Sequence, residues 1–171
     1  MLILNASPAA EEVETFRDLE QYRLVHPEAL TVAAHPYFYG AISVKEHLDS
    51  NPHLFDAIEQ SWFYKGIFNR NKKGASAAAR YQKPFIATSD THVLSRIENS
   101  YALIDAEEKT IAAVLAAIRA GSFKNVSRPA TLTECLSQIW LTIKNPGGLF
   151  TTHPLTNNQP GTGKNAQSSA L

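Results

Sequence analysis

The sequence predicts a mixed α/β domain built on mostly parallel strands, and three observations carry that expectation. Short apolar runs of strand length alternate with longer segments of helical spacing, the strand, helix, strand order that lays strands parallel. Two of those runs, Leu30 to Ala34 and Phe85 to Ala87, are apolar but for Thr31, as buried strands largely are. Residues capable of chemistry sit where these runs stop, which is where parallel α/β proteins collect their functional groups.

A chain of 171 residues suffices for one domain with a core and is too short for two ordinary ones. Apolar residues at 44% and charged residues at 19% describe a globular chain. Sixteen basic residues balance sixteen acidic ones, so no broad surface for nucleic acid or anionic lipid is expected. Cys135 is alone, which excludes an internal disulfide or a multi-cysteine zinc site and fits a reducing compartment. The opening run lacks a basic flank and meets Glu11, Glu12 and Glu14 at once, so it does not read as a signal peptide. No run approaches the length of a membrane span, and a soluble cytoplasmic protein is expected.

Met1 to Asn5 reads as a first strand. Val13, Phe16, Leu19, Tyr22 and Val25 then mark a helix within Glu11 to Val25, ended by His26-Pro27. Leu30 to Ala34 is the second strand of a βαβ unit and runs straight into His35-Pro36. Ser43 with Glu46 three residues later suggests a capping box for a short helix to Ser50. Leu54 to Gln60 reads as a third strand, with Glu59 near its end. Lys65 to Gln82 is polar and alanine-rich, helical near its end, with Arg70, Lys72 and Lys73 clustered at its start. Tyr101 to Ile104 is a further strand, Glu107 to Ala120 a helix capped by Gly121, Phe123 to Val126 a short strand and Leu132 to Ile143 an amphipathic helix. Residues 1–144 form the predicted domain, and 145–171, dominated by Pro, Gly, Asn, Thr and Ser, a flexible, disordered tail. Gly161 to Lys164 in that tail lacks the spacing and the Ser or Thr of a phosphate-binding loop.

Lys83 to His92 is the segment around which function is organised. Its apolar stretch ends in Ser89, Asp90, Thr91 and His92, and in an extended backbone residues 90 and 92 leave on one side. Asp and Ser after a strand also serve as helix caps, so this segment alone is ambiguous. His35 at the end of another strand adds a second convergent donor, giving two imidazoles and a carboxylate, a set suited to a first-row divalent metal. Such a set also serves mononuclear iron oxygenases, but those use a double-sheet β fold, unlike this alternating chain.

These residues resemble the PHP family, the polymerase and histidinol phosphatase metal-dependent phosphoesterases. The likeness rests on Ala34-His35-Pro36, on Phe55-Asp56-Ala57-Ile58-Glu59 and on Ser89-Asp90-Thr91-His92 preceded by Lys83-Pro84, and extends over residues 1–126. It implies the carboxyl-terminal part of a distorted (β/α)7 barrel. It further implies His35, Asp90 and His92 as catalytic metal ligands for Mn, Zn or Fe, and Glu59 one layer behind them. The implied substrate is a phosphorylated small molecule or a phosphodiester; the basic cluster at Lys65 to Lys73 reads either as a solvated turn or, through Lys65 or Arg70, as a contact to an anionic group. The family's opening His-x-His block is missing, since no His precedes His26. The expectation is therefore a partial barrel with weak metal binding and little or no hydrolase activity, or a non-catalytic metal-binding or interaction module derived from one. An open sheet edge would invite self-association.

Overall fold

The structure is a computed structural model, and it describes residues 1–38, 43–66, 69–90 and 94–144. Strands β1 (Leu2–Leu4), β2 (Leu30–Ala33), β3 (Ala57–Gln60) and β4 (Phe85–Ala87) form one sheet in that order. The β2–β3 and β3–β4 ladders are parallel, with Val32 opposite Ala57 and Ile58 opposite Phe85. Helices α1 (Phe16–Val25) and α3 (Asn71–Tyr81) pack on one face, where Phe16, Leu19, Phe55, Ile58, Ala77 and Ala78 form a core cluster. Helix α4 (Ile111–Ala120) covers the other face, through Leu115 and Ile118 against Leu30, Val32, Ala57 and Ile86. The two clusters divide β2 and β3 by alternation, neighbouring residues facing opposite layers. The result is mixed α/β with a mostly parallel four-stranded sheet. Its described strands do not close into a barrel.

Strand β1 departs from the βαβ expectation, because it pairs antiparallel with β2, Leu2 opposite Val32 and Leu4 opposite Leu30. The reason lies in the connection. Ser7 Oγ sits 3.1 Å from His26 Nε2, so the chain leaves β1 beside the far end of α1. Residues 8–15, including a 3-10 turn at Pro8–Glu12, must pass along the helix before it begins. Helix α1 then starts at Phe16 rather than Glu11, on a capping box in which Thr15 and Asp18 hydrogen-bond each other's backbone N–H at 3.1 and 2.8 Å.

Other boundaries shift for local reasons. Ser43 does not cap α2 (Glu46–Ser50); its hydroxyl donates to the Phe38 carbonyl at 3.0 Å, and Lys45 occupies the cap position. Strand β3 begins at Ala57, because Pro52–Leu54 is a 3-10 turn. Helix α4 begins after Thr110, whose Oγ1 accepts from the Ala113 N–H at 3.2 Å, and it ends on Gly121 at φ 72°, a left-handed cap. Helix α5 (Leu132–Lys144) occupies its expected span, and no described helix is long and apolar enough to cross a membrane.

Strands β5 (Ser100–Ile104) and β6 (Phe123–Ser127) form a separate antiparallel pair, a second exception to parallel pairing. Asn125 on β6 joins this pair to the main sheet. Its side-chain oxygen accepts from the Ala87 N–H at 2.9 Å, and its amide donates to the Phe85 carbonyl at 2.7 Å. The carboxamide thus supplies the two bonds that a parallel strand backbone would make to β4. Asn125→Ala leaves both backbone groups without these partners and is expected to cost about 1–3 kcal/mol, read from urea unfolding.

Just before β3, Asp56 accepts from the two terminal guanidinium nitrogens of Arg23, at 2.6 and 3.0 Å, and from the Thr31 N–H at 2.7 Å. Burial alone would raise this carboxyl's pKa, but the hydrogen bonds from Arg23 and Thr31 and the charges of Arg23 and Arg119 outweigh it, so the pKa is lowered. The folded value lies below the unfolded one, so this contribution to stability is present above about pH 4, the ordinary aspartate range, and is lost as pH falls through the folded value. In unfolding curves at a series of pH values, the stability gap between the protein and Asp56→Asn should be widest near neutrality. It should narrow steadily below the ordinary aspartate range.

Candidate metal site at the strand ends

Strands β2, β3 and β4 run parallel, so the residues just beyond them converge at one end of the sheet. Strand β2 delivers His35, two residues past its last paired position. Strand β3 delivers Glu59 from its body, and β4 delivers Thr88 and Asp90. His35 has φ 27° and Asp90 φ 39°, a left-handed backbone that non-glycine residues adopt at a cost of about 1–3 kcal/mol. Two sequence-predicted ligands are thus held in unfavourable backbone, a condition that gathers at functional sites.

Glu59 is the hub. Its side chain is only 1% exposed. Its Oε2 accepts from the His35 backbone N–H at 2.6 Å and lies 2.9 Å from His35 Nδ1, while Oε1 accepts from the Thr88 hydroxyl. Burial works against the carboxylate, yet these hydrogen bonds and the His35 charge prevail and hold its pKa below the usual glutamate range. Burial likewise opposes the charged imidazole, but the Glu59 hydrogen bond and the charges of Glu59 and Asp90 raise the His35 pKa. A carboxylate on Nδ1 fixes the proton there in the neutral ring, which leaves Nε2 as the lone-pair nitrogen.

Asp90 Oδ2 approaches His35 Nδ1 at 3.7 Å, so these two predicted ligands are neighbours, but on the nitrogen Glu59 already holds. The side-by-side projection of residues 90 and 92 assumed extended backbone, and that premise fails: β4 ends at Ala87 and Asp90 is left-handed. His92 lies outside the described residues. Imidazole nitrogen and carboxylate oxygen are suitable donors for Mn, Zn or Fe, so His35 and Asp90 fit two positions of such a site. Among the described residues no group of three His, Cys, Asp or Glu side chains is assembled to hold an ion.

A small cleft opens beside the pair, lined by His35, Glu59, Ser61, Arg70 and Asn71 among others. Its enclosed part, about 10 Å³, holds about one water or ion, and the cleft opens to solvent beyond it. Both Lys65 and Arg70 are exposed, but only Arg70 lines the cleft. Asn71 pins that wall, accepting from the Ser61 N–H at 2.9 Å and donating to the Ser61 carbonyl at 2.8 Å. Gly74 lets α3 approach closely, since a Cβ there would lie 3.1 Å from the Phe85 ring.

Sequence reasoning passed over Thr88, because what singles it out is the β3–β4 register, visible only in the structure. Glu59 pairs in register with Ile86, and Thr88 two residues on shares its face.

No curated protein matches the chain. Residues 68–123 match the PHP_C family, described as PHP-associated, a span that includes α3, β4 and α4 together with positions 90 and 92. Residues 68–123 are thus similar to a PHP-associated segment, consistent with the carboxyl-terminal portion of the PHP family.

Proposed function

We propose that the chain forms the carboxyl-terminal part of a PHP-type, metal-dependent phosphoesterase barrel, in which His35, Asp90 and His92 hold one divalent cation, Mn, Zn or Fe. The observation that carries this reading is the buried Glu59 carboxylate on His35 Nδ1, the partner that orients metal-binding histidines in general. A cation there would polarise a phosphoryl oxygen and activate water. The protein's own groups do the rest. Glu59 holds the imidazole with Nε2 available, and Asp90 turns its exposed carboxylate from Nδ1 toward that nitrogen. Arg70 receives the phosphate oxygens of a small phosphomonoester or a phosphodiester, as guanidinium groups do. The parallel β2–β3–β4 ladder supports a barrel portion, and the outer edge of β1 suits pairing with a second copy.

The alternative is a non-catalytic metal-binding or interaction module derived from such a barrel. Metal analysis of the purified chain after Mn and Zn loading, with a p-nitrophenyl phosphate assay, separates the readings. We expect one weakly held cation per chain and little or no turnover. Robust turnover by the monomer would contradict a partial site, and no cation uptake would contradict the metal reading itself.

A further inference from the structure

We infer that Thr88 is a positioning residue for the candidate site: its hydroxyl occupies one oxygen of Glu59, so that the other stays on His35 and fixes which ring nitrogen is open to a cation. The inference rests on the metal reading above but concerns a residue that reading does not use. Glu59 has two oxygens and three neighbouring donors, namely the His35 N–H, His35 Nδ1 and the Thr88 hydroxyl. Both donors from residue 35 meet Oε2, and among the described residues Thr88 alone meets Oε1 of this buried carboxylate.

Without Thr88, Oε1 has no donor in a nearly inaccessible setting, and a buried acceptor so exposed to loss reorients to recover one. Rotation about the Glu59 side chain toward another donor would take the carboxylate off His35 Nδ1. The imidazole would then no longer be held to a single tautomer. Thr88 adjoins the Ser89-Asp90 turn, so the same bond ties the end of β4, where Asp90 departs, to β3, where Glu59 is anchored. One hydroxyl thereby couples the placement of both predicted donors.

The test uses the full chain with Thr88→Val, which keeps the side-chain shape without the hydroxyl, and Thr88→Ser, which restores it. Nitrogen-15 NMR of the metal-free protein at alkaline pH, where the ring is neutral, should show His35 protonated on Nδ1. Thr88→Val should give a mixture of tautomers, and Thr88→Ser the original state. Zn affinity, measured by competition with a chromophoric chelator, should fall about 10–100-fold in Thr88→Val and recover in Thr88→Ser. If the parent protein binds no Zn, the metal reading fails, yet the tautomer readout still decides on Thr88. A parent His35 protonated on Nε2 would overturn the inference even if Thr88→Val did not fold. So would a Thr88→Val protein with the parent's tautomer and affinity.

Discussion

Glu59→Ala is expected to remove about 3–5 kcal/mol of folding stability, the largest effect we anticipate for one substitution at the site, because it strips the partner from a buried charged network. Three donors lose their acceptor together: the His35 backbone N–H, His35 Nδ1 and the Thr88 hydroxyl. Glu59 lies against the packed interior beside Ile58 and Ile86, so a water from the adjoining cleft would replace only part of these bonds. The left-handed backbone at His35 adds to the loss, because the Glu59 to His35 N–H bond helps hold it there. Glu59→Gln keeps the shape but exchanges one acceptor for a donor, and should cost about 1–3 kcal/mol. Urea unfolding monitored by circular dichroism measures both. A loss under about 1 kcal/mol for Glu59→Ala, within the range of ordinary surface changes, would show that the network is not what holds these strand ends together.

His35→Asn is expected to lower Mn or Zn affinity by at least about 100-fold, more than an outer partner of a metal ligand contributes, while leaving the chain folded. Asn is chosen because it tolerates the left-handed backbone found at residue 35 and carries an amide that can donate to Glu59. The imidazole Nε2 has no counterpart in it. Isothermal titration of the parent and variant proteins, with matched melting temperatures, isolates the ligand from the fold. Equal affinities would mean that any cation bound by the chain sits elsewhere.

The positions of the strand ends were legible because their signals are local: Leu30 to Ala34, apolar but for Thr31, and Phe85 to Ala87 are short apolar runs followed by polar residues. The direction of β1 was not legible. It depends on residues 8–15 running back along α1, a path set by Ser7 meeting His26 and Tyr22 across the fold. Asp56 read as one alternating residue of a strand, and nothing in its neighbourhood names Arg23, 33 positions away, as its partner. The placement of Glu59 behind His35 came from family resemblance, and the structure supplies a physical basis in the hydrogen bonds at 2.6 and 2.9 Å. Asp90 shows the reverse. An argument from strand geometry aimed it with residue 92, but the strand had already ended, and its position follows from a left-handed turn that no residue pattern announced.

The central claim is a single cation bound through His35 Nε2 together with Asp90 and His92. Anomalous diffraction from crystals grown with Zn and recorded at its absorption edge tests it most directly. The account predicts one peak about 2.0–2.2 Å from His35 Nε2 and from an Asp90 carboxylate oxygen, with an imidazole nitrogen of His92 completing the set. A crystal with no peak at this sheet end, or with Asp90 still turned to Nδ1 while Zn binds elsewhere, would contradict it.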